Sequence, residues 1–413
     1  MLSPLAALRH HEASKGVLLV MAAIVALVLA NTSAQPAYAA ALDLPVPLPG
    51  KPLTLLLFVN DFLMAAFFLL VGMELKRELA EGELSSRSRI MLPAIAALGG
   101  MIGPAVIYWW FNSNRAEAQP GWAIPCATDI AFALGIMALL GKRVPAGLKV
   151  FLTALAVLDD LGAIIIIALF YTAHLKPWFL LGAVGVFVIM GLMNRRGVTR
   201  VWLYLLLGTI MWWFTLKSGV HATLAGVATA MAIPMRGPGG KEVMAPFEHA
   251  LEPWISFGVL PIFALANAGV MLGELGPDGA MNTVSLGAAV GLLGGKVVGV
   301  FGASVLAVVL GLGSLPSGTR WSGLFGVAIL CGIGFTMSIF IAELAFTGTA
   351  EGMSSELLRG QAKAGILLGS AVAALLGLAV LAVVSRRAGG GGGGGGGGSA
   401  RGAGAGAGAR SAT

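Results

Sequence analysis

Apolar runs long enough to cross a bilayer recur from near the start of this sequence almost to its end, and that pattern fixes the class of fold. A hydrocarbon core about 30 Å thick is crossed by roughly 20 helical residues at 1.5 Å rise per residue. Within it each backbone amide and carbonyl must find a partner in the protein, and continuous apolar runs meet that demand as helices. Composition agrees, with 57% hydrophobic and 11% charged residues and a mean hydropathy of +0.90, where a soluble domain carries about 25% charged. A soluble enzyme is excluded. The expected fold is all-α and polytopic, with about twelve spans at roughly 15–33, 53–78, 90–111, 121–141, 145–171, 178–193, 200–216, 219–234, 250–272, 284–310, 321–346 and 360–385.

The formal net charge of +7 is not a nucleic-acid signal, because the Lys and Arg residues lie between spans. With the N-terminus inside, nineteen of the 26 fall on the cytoplasmic side and five on the other, leaving Lys296 and Lys363 within spans. That bias places both termini in the cytoplasm and calls for an even number of spans. Arg9 and Lys15 precede the apolar run 16–30, and Ala37-Tyr38-Ala39 resembles a signal-peptidase site. The long leader and the many later spans favour a retained first helix over a cleaved signal. Residues 1–14 read as a cytoplasmic segment and 15–385 as the transmembrane domain. Residues 386–413 hold the unbroken run Gly389–Gly398, cannot bury a core and are expected to be disordered. The Pro-rich stretch 43–52 reads as a short edge hairpin or an extended flap outside the membrane. Cys126 and Cys331 fall inside spans and read as small buried residues, not as a disulfide or zinc pair.

The functional centre is expected in Leu155–Phe170, where Asp159 and Asp160 stand side by side in an otherwise apolar span. One acidic residue at membrane depth costs several kcal/mol by insertion scales. Packing alone would be better served by apolar residues. Adjacent helical side chains point about 100° apart, so one Asp can face a neighbouring helix while the other faces a cavity. Two spans look interrupted: the fourth by Pro125 and the Thr128-Asp129 pair, the eleventh by Gly332, Gly334 and two hydroxyls in Cys331–Ser338. Broken spans in the two halves of a membrane protein point to a transporter's midplane site. Tight helix packing is the alternative account of the two glycines.

The residues least compatible with lipid are Asp61, Asp129, Asp159, Asp160, His221, Lys296, Glu343 and Lys363. Lys296 is expected to pair with Asp159, leaving Asp160 the freer carboxylate. Like charges so close cannot all ionise cheaply, so the group should titrate as a coupled set for which Na⁺ or Li⁺ and H⁺ compete. Alkali cations take oxygen ligands, which Asp129, Asp160, Thr128 and freed carbonyls can supply. Near the cytoplasmic edge lie Glu74, Arg77 and Glu78, with Glu248, His249 and Glu252. They read equally as a pH-sensing group or as solvated helix ends with i,i+3 and i,i+4 pairs. His221 reads first as a packing histidine, and Asp61 as a possible cavity lining.

Five ordered motifs carry a resemblance: Ala127–Gly135, Leu155–Phe170, Leu216–Gly226, Leu260–Gly269 and Leu330–Phe340. Together, from about residue 10 to 385, they closely resemble the NhaA-type bacterial sodium/proton antiporter family. The resemblance implies an inverted-repeat fold in which two discontinuous helices cross at mid-membrane. It implies electrogenic exchange of cytoplasmic Na⁺ or Li⁺ for more than one external H⁺ in the cell inner membrane. Asp159 and Asp160 would carry ion and proton, and Asp129 and Lys296 would compensate helix-end charges. Glu74, Arg77, Glu78, Glu248 and His249 would sense pH, with His221 tied to that response. The Pro-rich outer loop would pair in a homodimer, and no cofactor is implied. Glu252 stands where the family has a second histidine, Glu343 where a small polar residue is expected, and the Gly-Ala tail has no counterpart.

A sodium-coupled solute symporter is the runner-up, but few Asn, Gln, Tyr or Arg residues lie inside spans to line a solute pocket. An intramembrane aspartyl protease would put its two carboxylates on separate helices. A cation channel would favour repeated acidic rings, and an ATP-driven pump would need a phosphate loop that is missing here.

Overall fold

The computed structural model describes residues 12–48, 52–82, 87–172, 175–347 and 353–389. The segment before residue 12 and the Gly/Ala-rich stretch from 390 lie outside the described residues, so the expected disordered tail is described only at its start. There the last helix continues to Gly389.

In chain order α1 (Glu12–Ala30) leads into a short exposed helix, α2 (Gln35–Leu42). A two-residue antiparallel ladder follows, with β1 (Pro45–Val46) against β2 (Leu53–Thr54) in the register Pro45↔Thr54 and Val46↔Leu53. Thr54 then caps α3 (Leu55–Ala80) by accepting from the Leu57 amide at 3.2 Å. The bundle continues through α4 (Arg87–Phe111), a 3-10 segment Gln119–Cys126, α5 (Ile130–Ala138) and α6 (Ala146–Phe170). After these come α7 (Pro177–Arg195), α8 (Val201–Ser218), α9 (Leu224–Ala232) and α10 (Met244–Asn267). Then α11 (Thr283–Val309), α12 (Trp321–Leu330), α13 (Phe335–Ala345) and α14 (Met353–Gly389) complete the described residues.

Among the described residues ten helices are long and apolar enough to span a bilayer, and eleven when α12 and α13, bent by 45°, count as one. The expected span 219–234 is represented by α9, whose nine residues cover about 14 Å, half a bilayer core. Residues 219–223 ahead of it are turns, opened by Gly219 at φ +87°, where a side chain would be strained. So short a helix persists in the membrane because protein surrounds it. A Cβ on Gly226 would meet the Ala65 carbonyl at 2.0 Å, so α9 presses backbone to backbone on α3. Its C-terminal carbonyls without helical partners are taken by Lys76, 2.8 Å from Met231 O, and by the Asn194 amide, 2.8 Å from Ala232 O.

Glycine also sets the crossing that brings Lys296 inward. On α4, Gly99 and Gly103 face Gly299 and Gly295 of α11. A Cβ on Gly299 would stand 2.1 Å from Gly99 O, and one on Gly103 would stand 2.6 Å from Gly295 O. Small residues at this spacing let two backbones touch. Over the same stretch α11 widens into π turns at Gly291–Gly295 and Val297–Phe301, on either side of Lys296. Such bulges recur at functional sites. Gly299→Val is expected to lower stability by about 2 kcal/mol or more through overpacking. Thermal melting of the purified protein in detergent checks this, and an unchanged melting temperature would contradict the backbone contact.

Candidate functional site

The two interrupted spans meet where their helices stop. The chain is extended from Ala127 to Asp129, between the 3-10 segment and α5, because an inward-facing Asp129 caps α5 in place of continuing the helix: its Oδ1 accepts from the Phe132 amide at 3.0 Å. The other oxygen, Oδ2, accepts from the Thr336 amide at 3.1 Å and from the Thr336 hydroxyl, in the first turn of α13. One carboxylate thus serves two helix N-termini, each carrying a partial positive charge. In return the Asp129 amide donates to Ile333 O at 2.7 Å. The Thr128 hydroxyl lies 2.9 Å from Cys331 O and 2.7 Å from Asp159 Oδ2. Having one proton, it donates to one of them at a time. The amide of Phe335 donates to Ser370 Oγ of α14 at 3.1 Å.

Gly332 and Gly334 satisfy both accounts given for them. They sit at the break, and their backbones are packed hard: a Cβ on Gly332 would lie 2.5 Å from Leu292 O, and one on Gly334 2.7 Å from Leu292 Cδ2.

Asp159 and Asp160, on α6, are both 1% exposed. Lys296, fully buried, forms an ion pair with Asp159 Oδ2. Lys296 therefore meets Asp159 directly, while the Asp129 amide reaches the helix-end carbonyl of Ile333 and the Thr128 hydroxyl stands between that of Cys331 and Asp159. Asp160 differs. Both carboxylates keep a buried Oδ1 with no hydrogen-bond partner in the protein, but only Asp159 has partners on Oδ2, and Asp159, Asp129 and Glu74 repel a charge on Asp160 while Lys296 opposes them. A carboxylate so placed needs a proton or a cation to offset its lost hydration.

Asp160 faces a cavity of about 230 Å³. Buried Asp129, Thr336 and Asp160 line it together with Glu74, Arg77, Glu248, His249, Glu252 and Lys15, among apolar residues that include Phe67, Leu70 and Leu260. The two charged sets expected from sequence, one at mid-span and one at the helix ends, thus share a single chamber. Arg77 holds Glu248 at 3.0 Å, and Lys15 pairs with Glu252. Asp159, Thr128 and Lys296 lie behind the wall and do not line it. The hydroxyl residues that line the cavity are Ser256 and Thr336, and the sequence marked Thr336 only as one of two hydroxyls in a weakened helix. Lys15 was legible only as a flanking charge.

Other expected site residues lie elsewhere. Asp61 does not line this cavity; it sits in a π turn, Val59–Leu63, where its carbonyl accepts from Trp212 Nε1 at 3.1 Å. His221 lies against the Tyr171 carbonyl just past α6. A carbonyl only accepts, so Nε2 carries the proton. This contact ties the end of the Asp-bearing helix to the turn before α9. Glu78 has contacts of its own and is not among the lining residues. Cys126 and Cys331 are buried free thiols.

Fold and site together define a multi-pass helical membrane protein with a charged chamber at the crossing of two broken spans. The chain belongs to the Na⁺/H⁺ antiporter 1 family, whose model matches residues 6–381. It is 51% identical over 384 residues to the Na(+)/H(+) antiporter NhaA of Pseudomonas putida strain GB-1, covering 91% of this chain and 96% of that one. Against the NhaA of Aeromonas salmonicida strain A449 the identity is 52% over 380 residues, covering 90% and 93%. Against that of Yersinia pseudotuberculosis serotype O:3 it is 50% over 381 residues, covering 91% and 95%.

Thr336→Val keeps the shape of the side chain and removes the hydroxyl that Asp129 accepts. The expected loss is about 1.5–3 kcal/mol, as for a hydrogen bond to a charged group. Denaturation of the purified variant measures it, and wild-type stability would show that Asp129 does not depend on α13 for its partners.

Proposed function

We propose that this protein is a secondary transporter that moves Na⁺ or Li⁺ out of the cytoplasm in exchange for external protons. The observation that carries this reading is the unpartnered carboxylate of Asp160 on the wall of a cavity, beside a twin, Asp159, already paired with Lys296. The naming of relatives about half identical over nearly the whole chain supports it. Asp160 and Asp129 supply carboxylate oxygens to the cation, and the Thr336 hydroxyl stands on the same wall. Asp159, Thr128 and Lys296 complete the charge balance from behind. A proton on Asp160 removes the charge that attracts the cation, and a bound cation disfavours the proton. Exchange follows when the site opens to one side at a time and crosses loaded with one or the other.

The remaining features extend that reading. The Lys15 and Arg77 end of the cavity faces the cytoplasm, in keeping with the Lys/Arg bias, with both termini on that side of the cell inner membrane. Glu74, Arg77, Glu78, Glu248 and His249 set the pH response at the mouth, and His221 bears on it from the end of α6. More than one proton returns per cation, which makes the cycle electrogenic. The β1–β2 ladder offers edge strands for pairing in a homodimer. Residues 15–385 act as one transport domain. A sodium-coupled solute symporter fits less well, since about 230 Å³ is smaller than the roughly 300–1,000 Å³ of organic-ligand pockets.

In everted membrane vesicles, adding Na⁺ or Li⁺ should collapse a preformed pH gradient, and Asp160→Asn should abolish the effect. Full exchange by that variant would remove Asp160 as carrier. Imposed voltage should shift the exchange equilibrium by about 2.3 kcal/mol per net charge per 100 mV. An equilibrium indifferent to voltage would remove the unequal stoichiometry.

A further inference from the structure

Away from the cavity, a second ionic group, built on a buried Glu343 and two part-exposed cations, joins α13 to α14. Glu343, 8% exposed, stands in the last turn of α13. Lys363 Nζ lies 2.7 Å from its Oε1, and Arg359 Nη1 lies 3.7 Å from its Oε2. Arg359 also donates from Nη2 to Phe346 O at 3.2 Å, at the C-terminal cap of α13. An acidic residue near a helix C-terminus opposes the helix dipole, and one buried at membrane depth costs several kcal/mol, so packing alone does not account for Glu343. Two cations from one neighbouring helix offset both penalties. At its other end α13 is tied to the same helix, through the Phe335 amide on Ser370 Oγ.

We propose that Glu343, Lys363 and Arg359 are positioning residues: an ionic latch that makes α13 and α14 one body and so holds Thr336 against Asp129 during transport. Glu343 and Thr336 are seven positions apart on one helix, about 10 Å along its axis, so a tilt released at the latch is delivered to the cation chamber. The inference goes beyond the exchange reading, since none of the three residues lines the cavity.

Glu343→Gln is expected to raise the Na⁺ concentration for half-maximal exchange by at least about 3-fold, with the maximal rate within about 2-fold of wild type. The double variant Glu343→Cys/Lys363→Cys, thiols free, should show the same shift. Joining those two thiols with a short bifunctional reagent cleavable by reductant should return half-saturation to the wild-type value, and reduction should undo it. Two results would overturn the latch: half-saturation unchanged in both variants, or exchange arrested when the thiols are joined, which would mean that the helices must part. If Glu343→Gln fails to accumulate in the membrane, the cross-linked pair decides alone. Wild type run alongside separates the two readings, because a wild type that does not exchange counts against the antiporter and not against the latch.

Discussion

Burying a charge out of reach of water is the cost around which this molecule is built, and Asp159 and Asp160 meet it in opposite ways. Asp159 has a permanent counter-charge in Lys296 and a hydroxyl in Thr128. Asp160 has neither, and it lines the cavity where Asp159 does not. The pair therefore combines a fixed electrostatic anchor with a replaceable neutraliser one residue apart. Bringing Lys296 to the anchor requires α4 and α11 to touch backbone to backbone, which the glycines at 99, 103, 295 and 299 permit. The packing of small residues and the chemistry of the site are one problem.

The same cost explains the broken helices. A helix that ends inside a membrane leaves amides and carbonyls without partners. Here the breaks supply each other: Asp129 takes amides from both N-termini, while its own amide and the Thr128 hydroxyl reach carbonyls of the opposite break. Because these bonds run between the two spans, a rearrangement of one break is felt at once by the other. Asp160 shares the chamber wall with Asp129 and Thr336, so its occupancy and the geometry of the crossing are physically linked.

Much of this was legible in the sequence, for identifiable reasons. Hydropathy gave the spans, because lipid leaves the chain so few alternatives. The Asp159-Asp160 pair and the Pro125 and Gly332–Gly334 interruptions stood out against apolar surroundings. The ion pair between Lys296 and Asp159 followed from the scarcity of cations at that depth. What could not be read was mostly directional. Thr128 and Thr336 flank the crossing alike in sequence, yet Thr336 faces the cavity and Thr128 does not. The joining of Glu74, Arg77, Glu248 and His249 to the chamber of Asp160 depends on how α3 and α10 lie beside α5 and α6, which no local pattern encodes. The region 219–234 has the hydropathy of a span, but a left-handed Gly219 and the turn after it shorten the helix to Leu224–Ala232.

The claim on which this account turns is that one buried carboxylate is neutralised by either H⁺ or a small alkali cation. Calorimetric titration of purified protein with Na⁺ in buffers of different ionisation enthalpy measures the protons released per ion bound. The account predicts net release that is lost in Asp160→Asn. Sodium that binds without displacing protons would contradict it.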